Sequence, residues 1–338
     1  MSRVAGERQR PIYTDRMPRP MAREHDILKL PPPKRPPRLT TRRIGIHTSI
    51  AGGVENAAER AYRLGCNAFQ IFSTSPRQWQ AYDLSRPQCD KMRRLREDYD
   101  LRPLVIHSNY LINLASTTEV FLAKSIEAFR GELERALNLC AEYLVLHPGS
   151  FRGLSREEGV RRVAASMRVA SRGLNLGRGG LTLLIENTAG AEFSLGGSFE
   201  QVRELLDLLA DVMPIAACID TCHLHVAGYD IVSVPGLVQT LAELDATIGL
   251  KNVRVWHCND AKAQRGSKLD RHQHIGKGTI GFEPFRLLLN NPTLAHAAFI
   301  AETPIDRAGD DRRNVNALKS LVSEKVPRAT PARRSNPQ

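Results

Sequence analysis

Residues 143–149 read YLVLHPG: four residues of β-strand character, a histidine, then a turn-forming Pro-Gly pair. The same shape recurs along the chain. LVIHSN (104–109) ends its apolar run in His107, LLIEN (183–187) in Glu186, ACID (217–220) in Asp220, VRVWH (253–257) in His257 and FIAE (299–302) in Glu302. With two earlier segments, strands are expected at Arg43–His47, Ala68–Phe72, Leu104–His107, Tyr143–His147, Thr182–Glu186, Ala216–Asp220, Val253–His257 and Ala298–Glu302.

Between them lie stretches with helical period: Val54–Leu64, Gln88–Tyr99, Glu119–Cys140, Arg156–Leu174, Phe199–Leu209, Gly236–Ile248 and Glu283–Leu289, with a last helix over Arg312–Ser323. Strand and helix in alternation imply a parallel sheet, and eight such units fit a single (β/α)8 TIM barrel of the α/β class. A doubly wound open sheet is the alternative. It usually carries a Gly-rich phosphate turn after its first strand, whereas this chain has HTSIAGGVENA (47–57).

The composition is that of an ordinary globular enzyme, but the net charge of +12 is uneven. Residues 1–43 hold 12 Lys/Arg against 4 Asp/Glu, and residues 319–338 hold 5 against 1, which leaves residues 44–318 formally neutral. The domain reading is a Pro/Arg-rich disordered extension over 1–42, the barrel over 43–323 and a flexible basic tail over 324–338. The extension is read as a solvated appendage or a nucleic-acid tether. No long apolar run marks a membrane span, and MSRVAGERQRPIY (1–13) lacks a secretory signal, so a cytoplasmic protein is expected. Cys66, Cys89, Cys140, Cys218, Cys222 and Cys258 show no framework spacing and read as reduced, buried thiols.

In a barrel the strand ends converge on one face, so the six terminal residues would meet there. Asp220-Thr-Cys-His223 adds an imidazole at the same strand end, and Asp270-Arg-His272 adds a carboxylate and an imidazole after the seventh strand. Neutral imidazole and carboxylate suit zinc, manganese or iron. His107, His147, Glu186, Asp220, His223, His257, Asp270, His272 and Glu302 are nine candidate ligands, more than one ion uses. Glu186 is placed as a bridge, as expected of two neighbouring ions in phosphoryl displacement. His47 is a weaker candidate, His225 and His274 are read as structural, and His25 and His296 as uninvolved.

Together GIHTSIAGGVENA, FSTSPRQW, HSNYLINLAS, HPGS, IENTAG, CIDTCHLHVAGYD, WHCNDAK, GSKLDRHQHIGKG and AETP make residues 43–323 similar to the endonuclease IV family of abasic-site DNA-repair nucleases. The resemblance implies three zinc ions per chain, with Mn2+ or Fe2+ as alternatives at one or more sites. It implies that His107, His147 and Glu186 hold the first, and that Glu186, Asp220, His257 and Glu302 hold the second. His223, Asp270 and His272 would hold the third. Glu186, His107, His147, Asp220 and Glu302 are then catalytic, through the ions. The implied partner is double-stranded DNA containing abasic sites, with no membrane and no obligate protein partner. Arg77, Tyr110 and Leu111 match positions that enter the gap left by the missing base, a step cheap to deform. Two departures are visible: STSP (73–76) replaces a Lys-Asn-type loop, and Lys277 stands where an acid is common. Rival expectations are a single-metal sugar isomerase or epimerase on the same barrel, and a non-catalytic abasic-site binder.

Overall fold

The computed structural model describes residues 26–79, 81 and 83–323. Its barrel strands are β1 (Arg43–Ile46), β2 (Phe69–Phe72), β3 (Leu104–His107), β4 (Tyr143–Leu146), β5 (Thr182–Glu186), β6 (Ile215–Asp220) and β7 (Val253–His257). A hairpin of β8 (Asp260–Ala261) and β9 (His272–Gln273) follows, and then β10 (Ala298–Ala301) completes the barrel. The eight-stranded sheet runs β1-β10-β7-β6-β5-β4-β3-β2, every pair parallel. Its two ends meet where the Thr48 amide donates to the Gln70 carbonyl at 2.8 Å and the Asn67 amide to Ile44 at 3.0 Å. Gly45 lets this seam close: a Cβ there would lie 2.2 Å from the Ala68 carbonyl oxygen.

The helices are α1 (Asn56–Leu64), α2 (Arg86–Asp98), α3 (Glu119–Asn138), α4 (Arg156–Ser171), α5 (Phe199–Leu209), α6 (Thr221–Ala227), α7 (Val234–Thr247), α8 (Phe282–Asn290) and α9 (Asp310–Ser320). Helix α2 begins two residues before the expected Gln88, because Ser85 and Gln88 cap each other reciprocally and Pro87 suits the first turn. Helix α7 starts early for a like reason, with Ser233 as its cap and Pro235 behind it. Helix α6 and the hairpin were not expected from periodicity, being only seven and two plus two residues long.

Two apolar layers result. Ala68, Val105, Val145, Leu184, Cys218, Val255 and Ile300 pack in the lumen, while a larger cluster fills the space between strands and helices. Because side chains alternate along a strand, the next inward position on each is two residues on. That position holds Gln70, His107, His147, Glu186, Asp220, His257 and Glu302 in turn, and His47 takes the same place beyond Gly45.

Residues 26–42 fall within the extension expected to be disordered, and the first of them pack against α1. Ile27 is 8% exposed against the outer core, and Asp26 pairs with Arg60 of α1, which also donates to the carbonyls of Ser49 and Ala51 at 2.8 Å. Arg60 is nearly buried, so a carboxylate beside it removes a large desolvation cost. Residues 1–25 and 324–338, which carry most of the expected basic tails, lie outside the described residues. Among the described residues no helix is long and apolar enough to cross a membrane.

Hydrogen bonding to Arg60 outweighs burial and holds the Asp26 carboxyl below its ordinary 3.8. A depressed carboxyl stabilises the fold fully above that ordinary value, and the contribution is lost as pH falls through the lower folded value. Asp26→Ala should therefore cost about 2 kcal/mol in urea unfolding at pH 7, and the difference from wild type should shrink below about pH 4. Equal stability at pH 7 would show that the arm contributes nothing.

Candidate metal centre

Every strand of the barrel delivers one polar side chain to the C-terminal mouth of the lumen, and Glu186 lies at the centre of this ring, fully buried. Its Oε2 is 3.3 Å from His107 Nε2 and 3.0 Å from His147 Nε2. Its Oε1 is 2.9 Å from His257 Nδ1 and 3.4 Å from His223 Nδ1. One carboxylate thus faces two separate pairs of imidazoles with its two oxygens. Glu302 Oε2 lies 3.2 Å from His257 Nδ1, which joins a second carboxylate to the same group.

Of the remaining candidates, Asp220 ends a barrel strand and the other three come from elements added to the barrel. Asp220 ends β6 and also caps α6, its Oδ1 accepting from the His223 amide at 2.8 Å. This local bond turns His223 back toward the mouth, which explains the Asp-x-x-His spacing. The β8–β9 hairpin carries His272, whose Nε2 is 3.3 Å from Asp270 Oδ1 and 3.7 Å from Asp220 Oδ2. Asp270 Oδ2 is 3.2 Å from His223 Nε2. All nine residues expected as ligands are therefore brought together, in groups of His107, His147 and Glu186; Glu186, Asp220, His257 and Glu302; and His223, Asp270 and His272.

The donor set fits divalent cations. Glu186 Oε2 and His272 Nε2 are buried and lack a well-aligned hydrogen bond, their nearest polar neighbours being other members of the same donor set. Several rings are oriented from behind: His107 Nδ1 is 2.9 Å from the Ser108 carbonyl, and His272 Nδ1 is 3.0 Å from that of Glu302. Such bonds leave Nε2 for the cluster. Cys218 and Cys222 border it too. Burial pushes the Cys218 thiol up to about 12, so it stays neutral, a small group in the lumen packing.

Burial alone would neutralise these carboxylates. For Glu186 it is outweighed by His257 and His147, which hold the carboxyl well below its usual range. In turn, burial opposes charge on His223, but Asp220 and Asp270 hold it protonated well above the usual value, and the same pair raises His272 to about 9. Cations bound here must displace those protons.

Three residues that the sequence reading missed set this geometry. Asn187 accepts from the Asp220 amide at 2.7 Å, and its carbonyl lies 2.9 Å from His223 Nδ1. Asn259 donates to Asp220 Oδ2 at 2.6 Å and accepts from the Glu302 amide at 2.7 Å, tying two strand ends together. Gln70 completes the ring from β2. An inward-facing parity count at each strand end would have found Gln70; nothing in the sequence signalled the two asparagines.

Of the residues expected to enter DNA, Arg77 is exposed and Tyr110 and Leu111 are half-buried at the rim. The Tyr110 ring is 5.1 Å from Phe72 and 5.7 Å from His107. Asn109 holds the two loops together, donating to the carbonyls of Ser75 at 3.2 Å and Gln78 at 2.9 Å while accepting from the Leu111 amide at 2.8 Å. In the STSP stretch, Ser73 is buried and hydrogen-bonds Glu132 and Arg135. Lys277 is exposed.

The other histidines have structural partners: His225 with Thr279, His274 with Asn314 and Asp306, and His296 with the Val253 carbonyl. His47 touches Gln70, and His25 lies outside the described residues. All six thiols are free; Cys140 is exposed, contrary to the expectation of burial. It takes a left-handed turn position after α3.

A family model described as a xylose isomerase-like TIM barrel matches residues 58–322. A protein of Solibacter usitatus (strain Ellin6076) named probable endonuclease 4 is 53% identical over 287 residues, covering 84% of this chain and 98% of its own. The crystal structure of endonuclease IV from Thermus thermophilus matches with a TM-score of 0.72 at 38% identity, covering 82% of this chain and 98% of that one. A D-tagatose 3-epimerase-like protein matches with a TM-score of 0.60 at 20% identity, covering 82% and 96%, a likeness of fold alone.

Proposed function

The chain belongs to the endonuclease IV family, and from that premise we propose that it hydrolyses the phosphodiester on the 5′ side of abasic sites in double-stranded DNA, leaving a 3′-hydroxyl and a 5′-deoxyribose phosphate. It is a metal-dependent, DNA-cleaving hydrolase; the finer assignments are the proposal. The observation that carries it is the gathering of nine ligand-type side chains around Glu186.

His107, His147 and Glu186 would hold one zinc ion, Glu186, Asp220, His257 and Glu302 a second, and His223, Asp270 and His272 a third. Manganese or iron would suit the same donors. When bound, such ions supply Lewis-acid activation of water and neutralise charge on the phosphate and the leaving oxygen. The chain's own part is placement. Glu186 presents one oxygen to each set of imidazoles, which suits a bridging role. Asn259 Nδ2 donates to both the Asp220 and Glu302 carboxylates and keeps them side by side despite their repulsion. At the rim, Tyr110 and Leu111 offer a ring and an apolar side chain to the space of the missing base, with Arg77 exposed beside them. Asn109 would make the two loops act as one unit.

A sugar epimerase on this barrel is not favoured. A one-metal proton transfer has no use for His223, Asp270 and His272, and the relatives at 53% and 38% identity bear endonuclease names. A binder that does not cut would not require complete ligand sets.

Incubation of the zinc-loaded protein with a duplex carrying one abasic site should give a single incision 5′ to that site. Glu186→Gln should slow it roughly a thousandfold. No incision by the fully loaded wild type would overturn the proposal.

The formal neutrality of residues 44–318 has a consequence for binding. Glu186, Asp220, Asp270 and Glu302 are counted in it, whereas three divalent ions would add about +6 at the mouth, less the protons they displace from His223, His257 and His272, and so leave it more positive. Removing the metal should therefore weaken binding to uncut abasic duplex and flatten its dependence on salt. Unchanged affinity and salt slope in the metal-free protein would show that the positive field has another source.

A further inference from the structure

Seven of the eight side chains in the ring at the lumen mouth are His, Asp or Glu; the eighth is Gln70. It is fully buried, and both ends of its amide are engaged. Nε2 donates to Glu302 Oε1 at 2.5 Å and lies 3.0 Å from His47 Nδ1. Oε1 lies 2.8 Å from His257 Nε2. A carboxylate only accepts, so the NH2 end must face Glu302 and the carbonyl end must face His257. An amide oxygen also only accepts, so His257 must carry a proton on Nε2. In the neutral ring the lone pair is then on Nδ1, the atom 2.9 Å from Glu186 Oε1 and 3.2 Å from Glu302 Oε2. On Glu302, the bond to Gln70 occupies Oε1 and leaves Oε2 facing the cluster.

We infer that Gln70 is a positioning residue of the metal centre, which selects the His257 tautomer that ligates through Nδ1 and turns Glu302 so that Oε2 faces the ion. The inference rests on the metal reading above and assigns a role to a residue that is itself no ligand. It explains why an amide occupies this place in the ring. A carboxylate would be repelled by Glu302, and an apolar side chain would leave His257 Nε2 without an acceptor and its tautomer unselected. Outer partners of this kind commonly change metal affinity by about 10- to 100-fold.

The test is zinc competition against a chromophoric chelator, with elemental analysis of the retained metal, on wild type, Gln70→Ala, Gln70→Leu and Gln70→Glu. Leucine restores the lost volume, so it separates loss of hydrogen bonds from a cavity should the alanine protein unfold. The alanine and leucine proteins should hold one ion about 10- to 100-fold more weakly, with metal-free circular dichroism like that of wild type. Gln70→Glu keeps an acceptor for His257 Nε2 but removes the donor to Glu302 and sets a carboxylate against it, so it should also hold one ion more weakly than wild type. Wild-type affinity for every ion in the alanine and leucine proteins, or in the glutamate protein, would overturn the inference. A wild-type chain that takes up no divalent ion would instead overturn the metal reading on which it rests.

Discussion

Glu186 is a fully buried carboxylate with four imidazoles between 2.9 and 3.4 Å from its two oxygens, and the design of the mouth follows from keeping it charged. A buried carboxylate is costly unless positive charge surrounds it. Protons on His257 and His223 provide that charge in the chain alone, and bound cations would provide more of it. Asp220, Glu302 and Asp270 add repulsion that the same positive charge must offset. The arrangement is held for binding cations rather than for stability, since an apolar layer in this place would pack at lower cost.

The barrel supplies this constellation through strand alternation and parallel register. Once Val105, Val145, Leu184, Cys218, Val255 and Ile300 pack inward, the residue two places on must point at the same axis. Six of the nine side chains arrive in this way. The other three arrive on α6 and beside the β8–β9 hairpin, small additions to a fold shared with epimerases. Chemistry on a common barrel is thus decided by what is attached at its mouth.

This division also marks what could be read from the chain. The eight strands and most helices were legible because their apolar period is local, and the strand-end ligand types stood out for the same reason. Helix α6 was not, since a seven-residue helix shows little period; only Asp220 as an N-cap residue hinted at it. Asn187 and Asn259 were hidden because their partners lie 33 to 43 residues away in sequence, and the role of Gln70, though it is inward by parity, because its partners lie 23 to 232 residues away. A search for metal-ligand types also passes over amides. Residues 26–42 looked unable to fold on their own, and the pairing of Asp26 with Arg60 is a tertiary contact that composition does not reveal.

Nine side chains around one shared carboxylate suit a multi-ion centre rather than a single-metal site with spare histidines. Elemental analysis of the purified chain, reloaded with zinc and freed of excess by gel filtration, tests it most directly. About three ions per chain are expected, since nine ligands with one shared suit that number. One tightly held ion per chain, with His223, Asp270 and His272 replaceable by alanine at no loss of metal, would contradict it.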